Sequence, residues 1–499
     1  MPTPFRYGQD ALTPSLALAI ARGRRSATLD GATETRLADA HEQVRAIAAG
    51  DSASYGINTG FGPLCSTVIP AADRGRLQKK LLKSHSVGVG APIEPELARL
   101  MIVLKLHGLC QGHSGVSPAV VKRLRWFLKQ GYTPVVPRQG SVGASGDLAP
   151  LSHLSLPLIG EGAVTGFGGS PGEQTPTKEV LRAHDLKPVK LGPKDGLALI
   201  NGTQFIAAHA VVALTRLERC LEVANLAGAM MVDALQASHA PFDARLHALR
   251  PHGGAVAVAE RLRANLRGSR VPAAHADCDR VQDPYSLRCM PQVHGASRDA
   301  IEHLRAALAV ELNAVTDNPV LVDRGEVVSG GSFHGQPLAL PVDYACLAAA
   351  ELGSISERRT YLSLLGTHPN VPKLLLAGAG LDSGFMIVQY TAAALASENK
   401  AQCFPASADS IPTGMGQEDH VSMGAHGARK LLRVVANLER ILAIELLCAA
   451  QALDFQRPLR SGAAVEALHA RVREAVPHAT EDRVFARDIE ACRRLVRGE

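Results

Sequence analysis

TQFIAAHAVVALTRLERCLEVANLAGAMMVDALQAS, residues 203–238, runs for 36 residues without a proline and with one glycine, Gly228. Apolar side chains recur three or four apart, at Val211, Leu214, Leu217, Leu221 and Ala224. That is the spacing of one face of an α-helix. At about 1.5 Å per residue such a helix would reach roughly 50 Å. Residues 418–455 form a second stretch of the same kind, with Leu431, Val434, Leu438, Leu442, Ile444 and Leu447. Residues 296–313, 341–365 and 383–400 supply three more. Helices this long and apolar on several faces predict a bundle. Small residues, as in AIELLCAA at 443–450, allow close approach. The expectation is a mainly α chain that oligomerises. It has an N-terminal part at 1–200 and a long-helix bundle with C-terminal helices at 201–499.

The N-terminal part is punctuated by Gly and Pro at 56–63, 88–92, 131–137 and 140–150. Helices are expected between them, at 30–49, 94–110 and 118–130. Residues 160–190 mix Gly, Pro, Thr and Val and suit a small hairpin.

Composition narrows the function. Hydrophobic residues make up 46% and charged residues 20%, too apolar for a disordered chain. A net charge of +6 is spread over 499 residues. The most basic stretch, 483–497, also carries Asp488 and Glu490, so it predicts a solvated face and no nucleic-acid partner. Nine cysteines, an odd number with no C-x-x-C pair, predict reduced thiols and a cytoplasmic chain. The first residues have no apolar core of a secretory signal. No uncharged apolar run reaches the roughly 18 residues of a membrane helix. No P-loop, dinucleotide-binding turn, H-E-x-x-H or nucleophile elbow occurs, and no histidine spacing suggests a metal.

GSVGASGDLAPLSH, residues 140–153, carries the chemistry. Its centre is Ala144-Ser145-Gly146. Gly146 has no Cβ, so its nitrogen can approach a neighbouring carbonyl in a strained loop. Ala144 adds little crowding, and Ser145 has a hydroxyl to eliminate. Asp147 is placed to assist proton transfers. The stretch resembles the cofactor-forming loop of the histidine/phenylalanine/tyrosine ammonia-lyase family. The resemblance implies that the Gly nitrogen attacks the Ala carbonyl carbon and that two waters leave. The product is a methylidene-imidazolone ring (MIO), formed without an external cofactor. Such an electron-poor alkene captures an amine and makes it a better leaving group, while a general base takes a barely acidic β-proton.

Further motifs agree with this resemblance, which covers roughly residues 10–490. SYGINTGFGP, residues 54–63, matches the loop in which Tyr55 would be the β-proton base. LINGT, residues 199–203, places Asn201 beside the MIO ring and the substrate. In QDPYSLRC, residues 282–289, Arg288 would grip the substrate carboxylate with two prongs. Tyr285 would handle the amine proton and Gln282 would support the site. GGSFH, residues 330–334, would pack Phe333 on the MIO loop, with Ser332 where the family usually has Asn. The family fold is a mainly α, fumarase/aspartase-like long-helix bundle. It assembles as a homotetramer whose active sites combine residues from more than one subunit.

The side-chain end of the substrate is read at two places. Ser84-His85 resembles the histidine-specific members, although some tyrosine lyases share it. QEDH at 417–420 does so more strongly. Glu418 is expected at the start of a long helix, whose dipole favours a carboxylate. A carboxylate accepts an imidazole N–H well, whereas against a phenyl ring it would be a buried unpaired charge. The expected reaction is therefore elimination of ammonia from L-histidine to give urocanate. Met290, His294, Gln336 and Cys403-Phe404 depart from the histidine pattern. They leave open a tyrosine or phenylalanine lyase, or an aminomutase on the same chemistry. A non-catalytic helical oligomer is the alternative of a different class.

Overall fold

The computed structural model describes residues 3–168, 172–275, 281–323 and 326–499. Helices dominate, joined by strands of two to four residues. The chain forms two compact units. The first gathers residues 1–212, 305–342 and 405–429; the second gathers 213–304, 343–404 and 430–499.

In the first unit, helix Gly31–Ala49 starts where Asp30 accepts from the Thr33 amide at 2.9 Å. That bond satisfies one orphan donor of the first turn. Helices Pro95–Leu109 and Pro118–Gln130 each open on proline, whose missing N–H has no helical partner to lose. All three lie where the sequence predicts them. The expected hairpin is Ala163–Thr165 paired antiparallel with Thr175–Pro176. Val89–Pro92 pairs antiparallel with Pro137–Gln139, so the chain after His85 runs beside the chain leading to residue 140. Helix Arg74–His85 was not foreseen, and it buries only Gln78, Leu81 and Leu82.

The long helices are Gln204–Ala234, Met290–Glu311, Gln336–Ser363, Met386–Gln402 and Gly424–Asp454. Three begin five or six residues from the expected start. Met290–Glu311 begins six residues before residue 296. Gln336–Ser363 starts earlier and takes Pro341 into its interior. Gly424–Asp454 starts six residues after Glu418. Upstream, Met423 adopts φ +51° and its amide is donated to Val142 O at 2.9 Å. A residue in that conformation, bonded elsewhere, cannot continue a right-handed helix.

In the second unit the charges that go inside go as pairs. Arg359 and Glu445 are both fully buried and joined by two bonds, at 2.5 and 3.0 Å. Arg216 grips Glu439 at 2.7 and 2.8 Å, and Lys430 meets Asp343 at 2.7 Å. A buried charge without a partner would cost several kcal/mol, about 3–5 when one member of a pair is removed. The eight described cysteines are free thiols, and Cys278 lies outside the described residues. Among the described residues one helix, Gln336–Ser363, is long and apolar enough to cross a membrane. Of its most apolar stretch, 67% is buried within the protein.

Candidate active site

A cavity of about 1510 Å³ lies in the first unit. Its wall includes Tyr55, His85, Ser145, Asn201, Phe333 and Glu418. Ala144 lines it too, and Gly146 sits behind the turn against Gly202. Residues spread from 55 to 418 are thus brought to one place.

The turn is tight. Ala144 and Gly146 bridge each other across Ser145. Gly146 has φ +76°, and a Cβ there would stand 2.2 Å from Gly202 O. Only glycine fits, by conformation and by space. Behind it, the Asp147 amide donates to Gly202 O at 2.7 Å. The Asp147 carboxylate accepts from the Phe205 and Ile206 amides, both at 3.0 Å, and from Ser141 Oγ at 3.1 Å. Those amides are free donors at the start of helix Gln204–Ala234. Complete burial pushes Asp147 up to about 7 against these bonds. Asp147 is fully buried and outside the cavity wall, and its bonds anchor the turn.

Asn201 Nδ2 donates to Ser145 O at 3.2 Å. Ser145 Oγ donates to Glu418 Oε1 at 2.7 Å, and Thr413 Oγ1 donates to Oε2 at 2.8 Å. Glu418 is therefore not in a helical first turn, as the sequence had suggested. It closes a turn with Thr413 through two main-chain bonds, of 2.9 and 3.3 Å. Two hydroxyls support its carboxylate in place of a helix dipole.

Tyr55 sits on a loop that ties itself down. Asn58 accepts from the Ser54 amide at 2.7 Å and donates to Ser52 O at 2.8 Å. The Tyr55 hydroxyl oxygen accepts from the Gly62 amide at 3.3 Å. Burial raises its pKa above the ordinary tyrosine value; the Gly62 bond opposes this, and Cys65 and Glu418 add to it. His85 ends helix Arg74–His85 with Nδ1 3.0 Å from Ser84 Oγ. Burial lowers its pKa, so its ring is neutral at neutral pH. Phe333 reaches the cavity on a loop held by Asn318 Oδ1, which accepts from the Gly330 amide at 2.7 Å.

Gln282, Tyr285 and Arg288 are not brought to this cavity. They belong to the second unit. Tyr285 is 70% exposed, with the Arg288 guanidinium 4.6 Å from its ring centre. Arg288 Nε is buried without a hydrogen-bond partner among the described residues. The departures that left other substrates open also lie elsewhere. Met290 is buried against Gly228, and His294 is buried between Asn225 and Arg359, both in the second unit. Sequence reasoning missed Thr413, Ser422, whose Oγ donates to Gly143 O at 3.0 Å, and Lys105, whose Nζ donates to Asn201 O. Only Lys105 left a trace, as a cation inside the apolar run LMIVLKL.

Comparison with known proteins decides the family. The model for aromatic amino acid lyases matches residues 12–474. The chain belongs to the aromatic amino acid lyase family. Among the relatives of this lyase, the histidine ammonia-lyase of Anaeromyxobacter sp. strain K is 51% identical, covering 98% of this chain and 97% of that one. The histidine ammonia-lyase of Deinococcus radiodurans is 50% identical, over 97% and 92% of the two chains. Among solved structures, the histidine ammonia-lyase of Trypanosoma cruzi is similar with a TM-score of 0.91 at 41% identity, over 99% and 94% of the chains. The tyrosine aminomutase of Streptomyces globisporus has a TM-score of 0.92 at 35% identity, over 99% and 97%.

Proposed function

We propose that this lyase eliminates ammonia from L-histidine to give urocanate, using an MIO electrophile made from its own Ala144-Ser145-Gly146. One observation carries the proposal: a cavity-wall carboxylate, Glu418, stands 2.7 Å from the hydroxyl of Ser145. The relatives of about half-identical sequence support the same substrate. The turn suits the group, because Gly146 lies folded back on Ala144 where no other residue fits. When formed, the group supplies an electron-poor alkene that takes up an amine.

The chain's own side chains do the rest. Tyr55 takes the β-proton, and the Gly62 amide on its oxygen favours the phenolate. Asn201 draws on the Ser145 carbonyl through its amide hydrogen. Glu418, steadied by Thr413, accepts an imidazole N–H. Against a phenyl or phenol ring the same charge would lack a partner. His85, neutral, stands near the imidazole without charge repulsion. Phe333 packs beside the turn. Arg288 holds the carboxylate, Tyr285 handles the amine proton and Gln282 supports the site, all three supplied by a neighbouring subunit of a homotetramer. Leu340, Tyr344 and Leu347 support such assembly. They lie exposed along one face of helix Gln336–Ser363, and Ile387 and Tyr390 are exposed on helix Met386–Gln402. The free thiols suit the cytoplasm.

The test is an ultraviolet assay with L-histidine, L-tyrosine and L-phenylalanine in parallel, beside intact-mass measurement. Turnover of histidine alone and a chain lighter by two waters are expected. Cinnamate products, or a β-amino acid product, would overturn the substrate or the reaction. Ser145→Ala should keep its full encoded mass and lose most activity. Near-normal turnover by that variant would refute the electrophile.

A further inference from the structure

We propose that Lys105 is a positioning residue for the electrophile: a buried cation that fixes the main chain at Asn201 and, through it, the turn at Ser145. This rests on the electrophile proposed above.

Lys105 lies in helix Pro95–Leu109 between Leu104 and Leu106 and is 3% exposed. Burying a cation costs several kcal/mol unless donors and charges around it compensate. Its Nζ donates to Asn201 O at 2.5 Å and to Ala198 O at 3.2 Å. These carbonyls end the short helix Asp195–Ile200. The last carbonyls of a helix lack partners and carry its negative end, so a cation is favoured there. Asn201 then reaches the turn from both sides. Its side chain donates to Ser145 O, and the carbonyl of the next residue, Gly202, accepts from Asp147.

Burial is the largest influence on Lys105 and lowers its pKa to about 8; Asp317 and Asp147 favour its ammonium form and Lys194 opposes it. Lys194 is itself paired with Asp317 at 2.5 Å. The neighbouring Asn318 holds the loop that carries Phe333. Two lysines and two aspartates, none more than 5% exposed, thus underlie three segments of the cavity wall. A lysine that merely capped a helix would also be buried and bonded. Coupling to Asn201 and to turnover separates the two roles.

The experiment compares full-length wild type with Lys105→Met, Lys105→Arg, Asn201→Ala and the Lys105→Met/Asn201→Ala double variant. The readouts are intact mass, melting temperature, kcat and KM for L-histidine. Lys105→Met should lower kcat about tenfold or more with KM changed less than about threefold. Lys105→Arg, which keeps charge and donors, should restore kcat to within about threefold of wild type. In the Asn201→Ala background, Lys105→Met should cost clearly less than in wild type, about threefold, because the side-chain link to Ser145 is gone and only the main-chain bond from Asp147 to Gly202 remains. Should Lys105→Met not fold, Lys105→Gln replaces it in the same comparisons. Wild-type kcat in Lys105→Met, full additivity with Asn201→Ala, or no rescue by arginine at an unchanged melting temperature would each overturn the role. A wild-type chain at full encoded mass would overturn the electrophile and this role with it. A wild-type chain lighter by two waters leaves the electrophile standing whichever way Lys105 falls.

Discussion

Both oxygens of Glu418 are engaged, one by Ser145 and the other by Thr413. In the proposed reaction, dehydration of Ser145 would remove the first of these donors and free that oxygen for an imidazole N–H, tying recognition and electrophile formation to one atom. Glu418→Gln keeps the shape and removes the charge. A hydrogen bond to a charged group contributes about 1.5–3 kcal/mol, so kcat/KM for L-histidine should fall about 10- to 100-fold. Any turnover of L-tyrosine should fall much less; equal losses would assign Glu418 to catalysis or structure. The same variant has a signature in pH. Tyr55 must lose its proton to act as a base, and burial together with the Glu418 charge holds its pKa above the ordinary value. The rate should therefore rise with pH through neutrality into the alkaline range. Glu418→Gln removes one raising influence, so the rising limb should move to lower pH. A limb that stays in place would disprove the coupling.

At the scale of elements, the turn between Thr413 and Glu418 holds the carboxylate to which the proposed function assigns substrate recognition. Its two main-chain bonds hold the turn without the Thr413 side chain. Thr413→Val should accordingly leave thermal stability nearly unchanged. Loss of the bond to Oε2 should loosen the carboxylate by about 1.5 kcal/mol, or about tenfold in KM for histidine, with a smaller change in kcat. A proportional loss in melting temperature would make Thr413 a fold residue. This turn also shows where the sequence stopped being legible. Helices Gly31–Ala49, Pro95–Leu109 and Pro118–Gln130 announce themselves locally, through Asp30, N-terminal prolines and Gly131. Residues 418–423 hold no proline, so the local pattern extends the helix through them. What stops it is a bond from Met423 to Val142, roughly 280 residues away in sequence, which no local pattern encodes. Helix Arg74–His85 was missed for the opposite reason. RGRLQKKLLKSH is polar overall and carries only three leucines, Leu77, Leu81 and Leu82, to mark its apolar face.

At the scale of the molecule, seven of the eleven candidate residues line one cavity in the first unit, and Gly146 backs it. They were legible because each sits in a motif whose neighbours constrain it. Thr413, Ser422 and Lys105 were not, because their partners are oxygens of residues distant in sequence or not yet placed. Gln282, Tyr285 and Arg288 raise a different question, since their unit does not contribute to that cavity wall. If a second copy of the chain supplies them, activity must vanish with assembly while the turn still matures inside its own unit. Leu340, Tyr344 and Leu347 offer the handle: an exposed apolar stripe on one helix face that an interface would cover. Tyr344→Glu with Leu347→Glu places two carboxylates on that stripe. Light scattering should show four chains per particle for wild type and one for the variant. The variant's kcat should fall about 100-fold or more, since a carboxylate clamp is lost outright. Its intact mass should still be lower by two waters, because the Ala144–Gly146 turn, Asp147 and Asn201 lie within one unit. A monomer that turns over histidine at the wild-type rate would show that each chain completes its own site. A monomer at full encoded mass would show that assembly is needed to form the electrophile itself.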